Sequence, residues 1–262
     1  MNDIPLSHLL DVAICAAEAA GKHAMENKHR RQEANETFEH DIKLVLDVEC
    51  QTIAEKVIAG EFPEHGILGE EDATPNAASS YEWVIDPIDG TMNFSHGLEY
   101  WCSSVAVRRN HKVVAGCVFA PEFESYYTAH IEQPARLNGD DITVSKTERL
   151  SQSMILTGLS KNMENASEPH LDLFRMLAVN TKKLRINGAA ALDICRVADG
   201  TCDGFFETDI HLWDYAAAGL IAEQAGATLA TYSHKNDTHG ATVLCANPHI
   251  IEGLRAIYSR HI

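Results

Sequence analysis

The chain has 262 residues, 45% of them hydrophobic, and a formal net charge of −17, so it can bury a substantial core but suits neither nucleic-acid backbones nor anionic membranes. Seven cysteines, at positions 15, 50, 102, 117, 195, 202 and 245, are odd in number and form no C-x-x-C pair, which suggests neither a disulfide framework nor a zinc knuckle and fits a reducing cytoplasm. No apolar run reaches the ~18 residues of a membrane span and no signal-like segment opens the chain, so neither insertion nor secretion is expected.

From Leu6 to Met25 the spacing of Leu9, Val12, Ala13, Ala16 and Ala20 predicts an amphipathic helix whose alanine face packs closely on a neighbour. The polar stretch "ENKHRRQEANETFEH" reads as an exposed loop, and "DIKLVLDVECQTIAEKVIAGEF" as a brief extended piece followed by a helix from Asp47 or Val48 to about Gly60. "HGILGEED" and "EWVIDPIDG" each read as a short apolar strand that stops in acid. "YWCSSVAVRRNHKVVAGCVFAPEFESYYTAHI" predicts an antiparallel meander turning at "RRNHK", with a further turn at "LNGDD". From Ser153 strands and helices alternate through "SMILTGLS", "EPHLDLFRMLAVN", "KKLRINGA", "AALDICRVADG", "CDGFFE" and "WDYAAAGLIAEQAG", the last helix ending at Gly226. No repeat or linker interrupts the pattern. It is read as one compact unit over 1–262, with a seam near 140–150 between an α+β half and an α/β half.

Asp47, Glu70, Asp86, Asp89 and Asp214 all fall at predicted ends of regular elements. Buried carboxylates need compensation, and hard oxygen donors suit Mg²⁺ with substrate phosphate oxygens. Asx-turns and helix caps explain the same aspartates without any metal. Fourteen histidines form no H-E-x-x-H pattern that would point to a rival site.

"GEED", "DPIDGTMNF" and "WDYAAAG" stand in the order and approximate spacing of the inositol monophosphatase family, and "DIKLVLD", "RLNGDDITVS" and "GAAALDICRVADGTCDGFFE" extend the likeness from Asp41 to Gly226. The resemblance implies an α+β fold, a layered αβαβα sandwich of the inositol monophosphatase and fructose-1,6-bisphosphatase type. It also implies a lithium-sensitive, Mg²⁺-dependent phosphomonoesterase that forms a homodimer and holds two or three Mg²⁺ per subunit. By the same resemblance Glu70, Asp86 and the Ile88 carbonyl match one metal's ligands, and Asp86, Asp89 and Asp214 another's. Asp47 and Thr91, with Glu70, match the residues that activate water. Gly90 and Thr91 face the phosphate. Gly188, Ala189 and Ala190 match a helix start offered to substrate hydroxyls, and Glu207 the glutamate that binds ring hydroxyls.

The resemblance makes a small phosphate ester, inositol monophosphate first, the expected partner. Met92 stands where the family has threonine, Ala189 where a hydroxyl residue is common, and Leu44 at another threonine position. Asp209 is an extra acid that reads either as an exposed loop residue or as a hook for a cationic substrate such as histidinol phosphate. His211 reads as a structural histidine or pocket wall, and Ser160 is left unassigned. A noncatalytic regulatory protein on the same fold is the alternative from another class.

Overall fold

The computed structural model describes residues 4–37, 42–76, 78–158, 168–234 and 237–260. In chain order, helix α1 (Leu6–Glu26) precedes short strands β1 (Ala34–Thr37) and β2 (Ile42–Leu44), helix α2 (Val45–Glu61), and strands β3 (Gly66–Gly69), β4 (Ala73–Thr74) and β5 (Tyr81–Asp89). A short helix, α3 (Thr91–His96), leads into β6 (Cys102–Arg109), β7 (Lys112–Ala120), β8 (Ser125–His130), β9 (Arg136–Leu137) and β10 (Asp140–Asp141). There follow β11 (Met154–Thr157), α4 (Glu168–Asn180), β12 (Lys183–Arg185), α5 (Ala190–Ala198), β13 (Gly204–His211) and α6 (Leu212–Gln224). Strands β14 (Thr228–Ser233) and β15 (Gly240–Ala246) and helix α7 (Ile251–Tyr258) complete the order.

The strands form two main sheets, one ordered β10-β9-β8-β7-β6-β5-β3-β4 and one ordered β12-β11-β13-β15-β14. The expected meander is present: β6, β7 and β8 pair antiparallel. Its turns have the positive φ angles that tight hairpins demand, at Asn110 and His111 and again at Asn138 and Gly139. In the second sheet β11 is parallel to both β12 and β13, whereas β13, β15 and β14 run antiparallel.

Three apolar clusters hold the layers together. The alanine face of α1 buries Leu9, Val12, Ala13, Ala16 and Ala20, as its spacing predicts, and joins α2 to one face of the first sheet through Trp83, Ile85 and Val105. Ala216, Ala217 and Ala218 of α6 and Ala191, Leu192 and Ile194 of α5 fill the space between the sheets. Leu173 and Leu177 of α4 and Ile251 and Leu254 of α7 cover the far face of the second sheet. The order is helix, sheet, helix, sheet, helix, the layered α+β sandwich.

Three local readings change. Helix α2 begins at Val45, ahead of Asp47, and β5 ends in acid as expected but at Asp89, so that Asp86 lies within the strand. Part of the polar stretch after α1 is strand β1, paired with β2. The hairpin β14–β15 and helix α7 lie beyond the last predicted helix; every residue of β15 is buried, so it carries no polar alternation to reveal a strand.

Candidate active site

Asp86 and Asp89 are an odd number of residues apart, which in a regular strand would send them to opposite faces. Against β6 the register slips: Asp86 pairs with Ser104 but Asp89 with Cys102, so three steps on β5 face two on β6. This is a β-bulge, and Pro87, which has no N–H for the ladder, stands within it. The extra residue turns both carboxylates toward one cleft of about 310 Å³. β13 repeats the device, with Glu207 opposite Val243 and Ile210 opposite Ala241. Asp209 takes the left-handed conformation there, φ 59°.

Glu70, Asp86, Asp89, Gly90, Thr91, Gly188, Ala189, Ala190, Glu207 and Asp214 all line this cleft. They come from both sheets and from the starts of α3, α5 and α6. Asp47, 2% exposed, lies behind the lining in the first turn of α2. Ile88 is buried, and its carbonyl accepts a hydrogen bond from Thr91 Oγ1 at 3.0 Å. As placed, no three His, Cys, Asp or Glu side chains among the described residues are close enough to grip one ion. The acids share a space rather than a point, as mutually repelling charges do.

Three of the aspartates are anchored by backbone amides. Asp47 Oδ2 accepts from Leu44 N at 2.6 Å, and Asp214 Oδ2 from His211 N at 2.6 Å, so each acid closes the first turn of its own helix. Leucine at the helix start has no side-chain acceptor, so of the two reciprocal bonds that can close this turn only the one to Asp47 is made. Asp89 accepts from Ala190 N at 3.0 Å with Oδ1, and from Ala191 N at 2.8 Å and Leu192 N at 3.4 Å with Oδ2. The Cys102 thiol donates to the same Oδ2 at 3.4 Å. The start of α5, expected to meet substrate hydroxyls, thus gives the amide of Ala190 and the two that follow to Asp89.

Asp86 differs. It is 1% exposed, and its Oδ1 has no hydrogen-bond partner. Burial first, then Glu70, Asp89, Asp214 and Asp47, push its carboxyl well above the usual range. Burial and then Asp214 push Asp89 up to about 8 against the pull of its amides. Both carboxyls are therefore poised to gain from a nearby cation, and every donor in the set is a hard oxygen. That chemistry fits Mg²⁺.

Other residues build the walls. Asn93 Nδ2 donates to Tyr100 O and to Asn187 O, both at 2.7 Å, tying α3 to a turn 94 residues away. Buried Asp193 Oδ1 accepts from Tyr100 OH at 2.7 Å and from Asn187 Nδ2 at 2.8 Å. No local pattern marks these residues, because their partners are remote in the chain. Asn93→Ala is expected to cost about 1–2 kcal/mol and to speed hydrogen exchange at residues 187–189, which native-state exchange measures. Of the paired glutamates, Glu71 turns away from the cleft to Lys43 at 2.7 Å.

Asp209 lines the cleft on its bulge instead of standing in an exposed loop, and its Oδ1 lies 3.4 Å from His234 Nδ1. His211 is a cleft wall: it stacks on Trp213 with ring centroids 4.8 Å apart and meets Asp237 at 3.2 Å. Ser160 lies outside the described residues.

Comparison with known proteins matches residues 5–262 to the inositol monophosphatase family. An inositol monophosphatase of Dictyostelium discoideum is 36% identical over 97% of this chain and 96% of its own length. Nus factor SuhB of Vibrio cholerae is 31% identical, covering 95% of this chain and 94% of its own. The crystal structure of extragenic suppressor protein suhB from Bartonella henselae superposes with a TM-score of 0.89 at 27% identity, over 97% of this chain and 100% of that one. The inositol monophosphatase from Anabaena sp. PCC 7120 gives 0.86 at 28% identity, over 98% and 97%. This chain, whose cleft gathers the acids of all three sequence signatures, belongs to the inositol monophosphatase family.

Proposed function

We propose that the chain is a Mg²⁺-dependent phosphatase of small phosphate monoesters, with inositol monophosphate the leading substrate. The observation that carries this reading is Asp86, a buried carboxyl with an unpartnered oxygen facing three further acids across one cleft. Such an arrangement costs the fold stability and gains purpose from a divalent cation. Glu70, Asp86, the Ile88 carbonyl, Asp89 and Asp214 would hold the metal, with the side chains drawing closer than they stand without it. When bound, Mg²⁺ supplies charge neutralisation for the phosphoryl group and lowers the pKa of water.

The chain's own groups position the reaction. Thr91 gives its hydroxyl proton to the Ile88 carbonyl, so its oxygen is oriented to accept from water, together with Asp47 and Glu70. Gly90 has φ 91° and a Cβ there would lie 3.1 Å from both Ala189 Cβ and the Tyr100 carbonyl, so only glycine lets the backbone close up at the start of α3, where the amides of Gly90 and Thr91 meet phosphate. The enzyme works in the cytoplasm as a lithium-sensitive homodimer. No helix among the described residues is long and apolar enough to cross a membrane.

Glu207 contacts the alcohol portion. A Cβ on Gly158 would fall 1.8 Å from Glu207 Oε1, so the glycine makes the room in which this carboxylate lies. Glu207→Ala and Gly158→Ala are therefore expected to act alike, lowering kcat/KM for inositol 1-phosphate by about tenfold to a hundredfold while sparing a simple aryl phosphate. Equal losses on both esters would contradict the assignment.

A second reading follows from relatives named Nus factor SuhB: a regulatory role with hydrolysis reduced or lost. A rate panel with and without Mg²⁺ over inositol 1-phosphate, histidinol phosphate, fructose 1,6-bisphosphate and adenosine 3′,5′-bisphosphate separates the readings. One preferred ester is expected; no turnover of any would favour the regulatory role.

A further inference from the structure

The mouth of the cleft has a different chemistry from its acidic floor. Two large apolar side chains, Met92 and Ile186, line it and yet remain 46% and 47% exposed. Each directly precedes one end of the 2.7 Å bond from Asn93 Nδ2 to the Asn187 carbonyl, which ties together the two backbone segments that carry them. Neither is needed to fill the interior, which both leave half uncovered. Isolated apolar residues on a surface are ordinary, but a pair fixed at the opening of a ligand cleft is covered when a ligand of matching surface arrives.

The segment that follows the β13 bulge adds a flat surface to the same cleft. His211 and Trp213 both line it, stacked at an interplanar angle of 8°. The contact with Asp237 keeps the imidazole in that plane. A ring bearing hydroxyls on every carbon, such as inositol monophosphate, still reaches Glu207 and the phosphate site but meets a desolvation penalty where its hydroxyls face Met92 and Ile186. An ester whose alcohol has one apolar or planar face covers the pair without that penalty, and leaves its other edge for Glu207.

Resting on the phosphatase reading above, we infer that Met92 and Ile186 form a specificity lip that selects phosphate monoesters whose alcohol presents an apolar or planar face beside the ester oxygen. The lip acts on the alcohol alone. Its two side chains carry no charge for the phosphate and no proton for the reaction.

Cyclohexyl phosphate and inositol 1-phosphate test this directly, because they share a ring frame and differ in its hydroxyls. With Mg²⁺ present, kcat/KM is measured for both esters on the wild type, Met92→Thr, Ile186→Ser and the double variant. The ratio of cyclohexyl to inositol ester is expected to fall about tenfold in the double variant, chiefly through KM, and to be kept by the conservative Met92→Leu. An unchanged ratio in the double variant would overturn the lip. Should that variant fail to fold, as thermal melting would reveal, the single Met92→Thr decides in the same way. Wild-type protein that hydrolyses neither of these esters nor any ester of the panel above would instead overturn the phosphatase reading, and this inference with it; turnover of a panel ester but of neither of these two would overturn the lip alone.

Discussion

Asp86→Asn is expected to lower Mg²⁺-dependent turnover about a thousandfold or more, since phosphoryl transfer rests on charge stabilisation and positioning. The same substitution is expected to raise the melting temperature of protein kept in chelator. The amide is isosteric, and it removes one charge from a buried group already repelled by Glu70, Asp89, Asp214 and Asp47. Replacing such a charge gains about 1–3 kcal/mol, or roughly 3–8 °C.

The effect has a definite pH sign. The folded carboxyl of Asp86 lies above its unfolded value of ~3.9, so the folded state binds the proton more tightly. The contribution of Asp86 to stability is then greatest below about pH 4 and is lost as pH rises through its folded pKa, so the advantage of the variant in chelator widens over that range. Saturating Mg²⁺ reverses the order, because only the wild type keeps the full ligand set. Calorimetry with chelator and with Mg²⁺ across this range checks the pattern. A variant that is less stable than the wild type in chelator, or that retains a tenth of its turnover, would contradict it.

Asp89→Ala gives a matching loss of turnover with the opposite effect on the fold. Here the carboxylate accepts from Ala190, Ala191 and Leu192 at the start of α5. Truncation leaves those amides without their acceptor in a site from which water is largely excluded, at a cost of about 2–4 kcal/mol. The melting temperature in chelator should fall by roughly 5–12 °C. Hydrogen exchange at residues 190–192 should rise with it. If the melting temperature held, the amide contacts would carry no weight; if turnover held, Asp89 would stand outside the reaction. Two aspartates on one strand thus answer substitution in opposite ways, a lost charge at one and a lost acceptor at the other, according to what their oxygens touch.

Much of this architecture is legible in the chain. The alanine stripe of α1, the meander with its Asn-bearing turns, and the strand and helix alternation after Ser153 follow local rules of period and turn chemistry. The acids of the cleft are legible as types at element ends. Their convergence is not, because Asp86 and Asp89 share a side only through a bulge, and a bulge is settled by pairing with β6. The bond from Asn93 to Asn187 and the seat of Asp193 beneath it depend on contacts across more than ninety residues, as the separations of 94 and 93 show. β15 escapes for the opposite reason: buried along its whole length, it offers no periodicity to read. Asp209 misleads because its left-handed turn looks like a loop but belongs to a strand.

Two of the cleft acids and the one behind them also serve as fasteners: Asp89 for α5, Asp214 for α6 and Asp47 for α2. A descendant that abandoned hydrolysis would still be selected to keep them, since losing any one would fray a helix. Asp86 ties down nothing, so it is the first acid that drift would erase. In this chain, position 86 is therefore the acid whose presence folding alone does not explain.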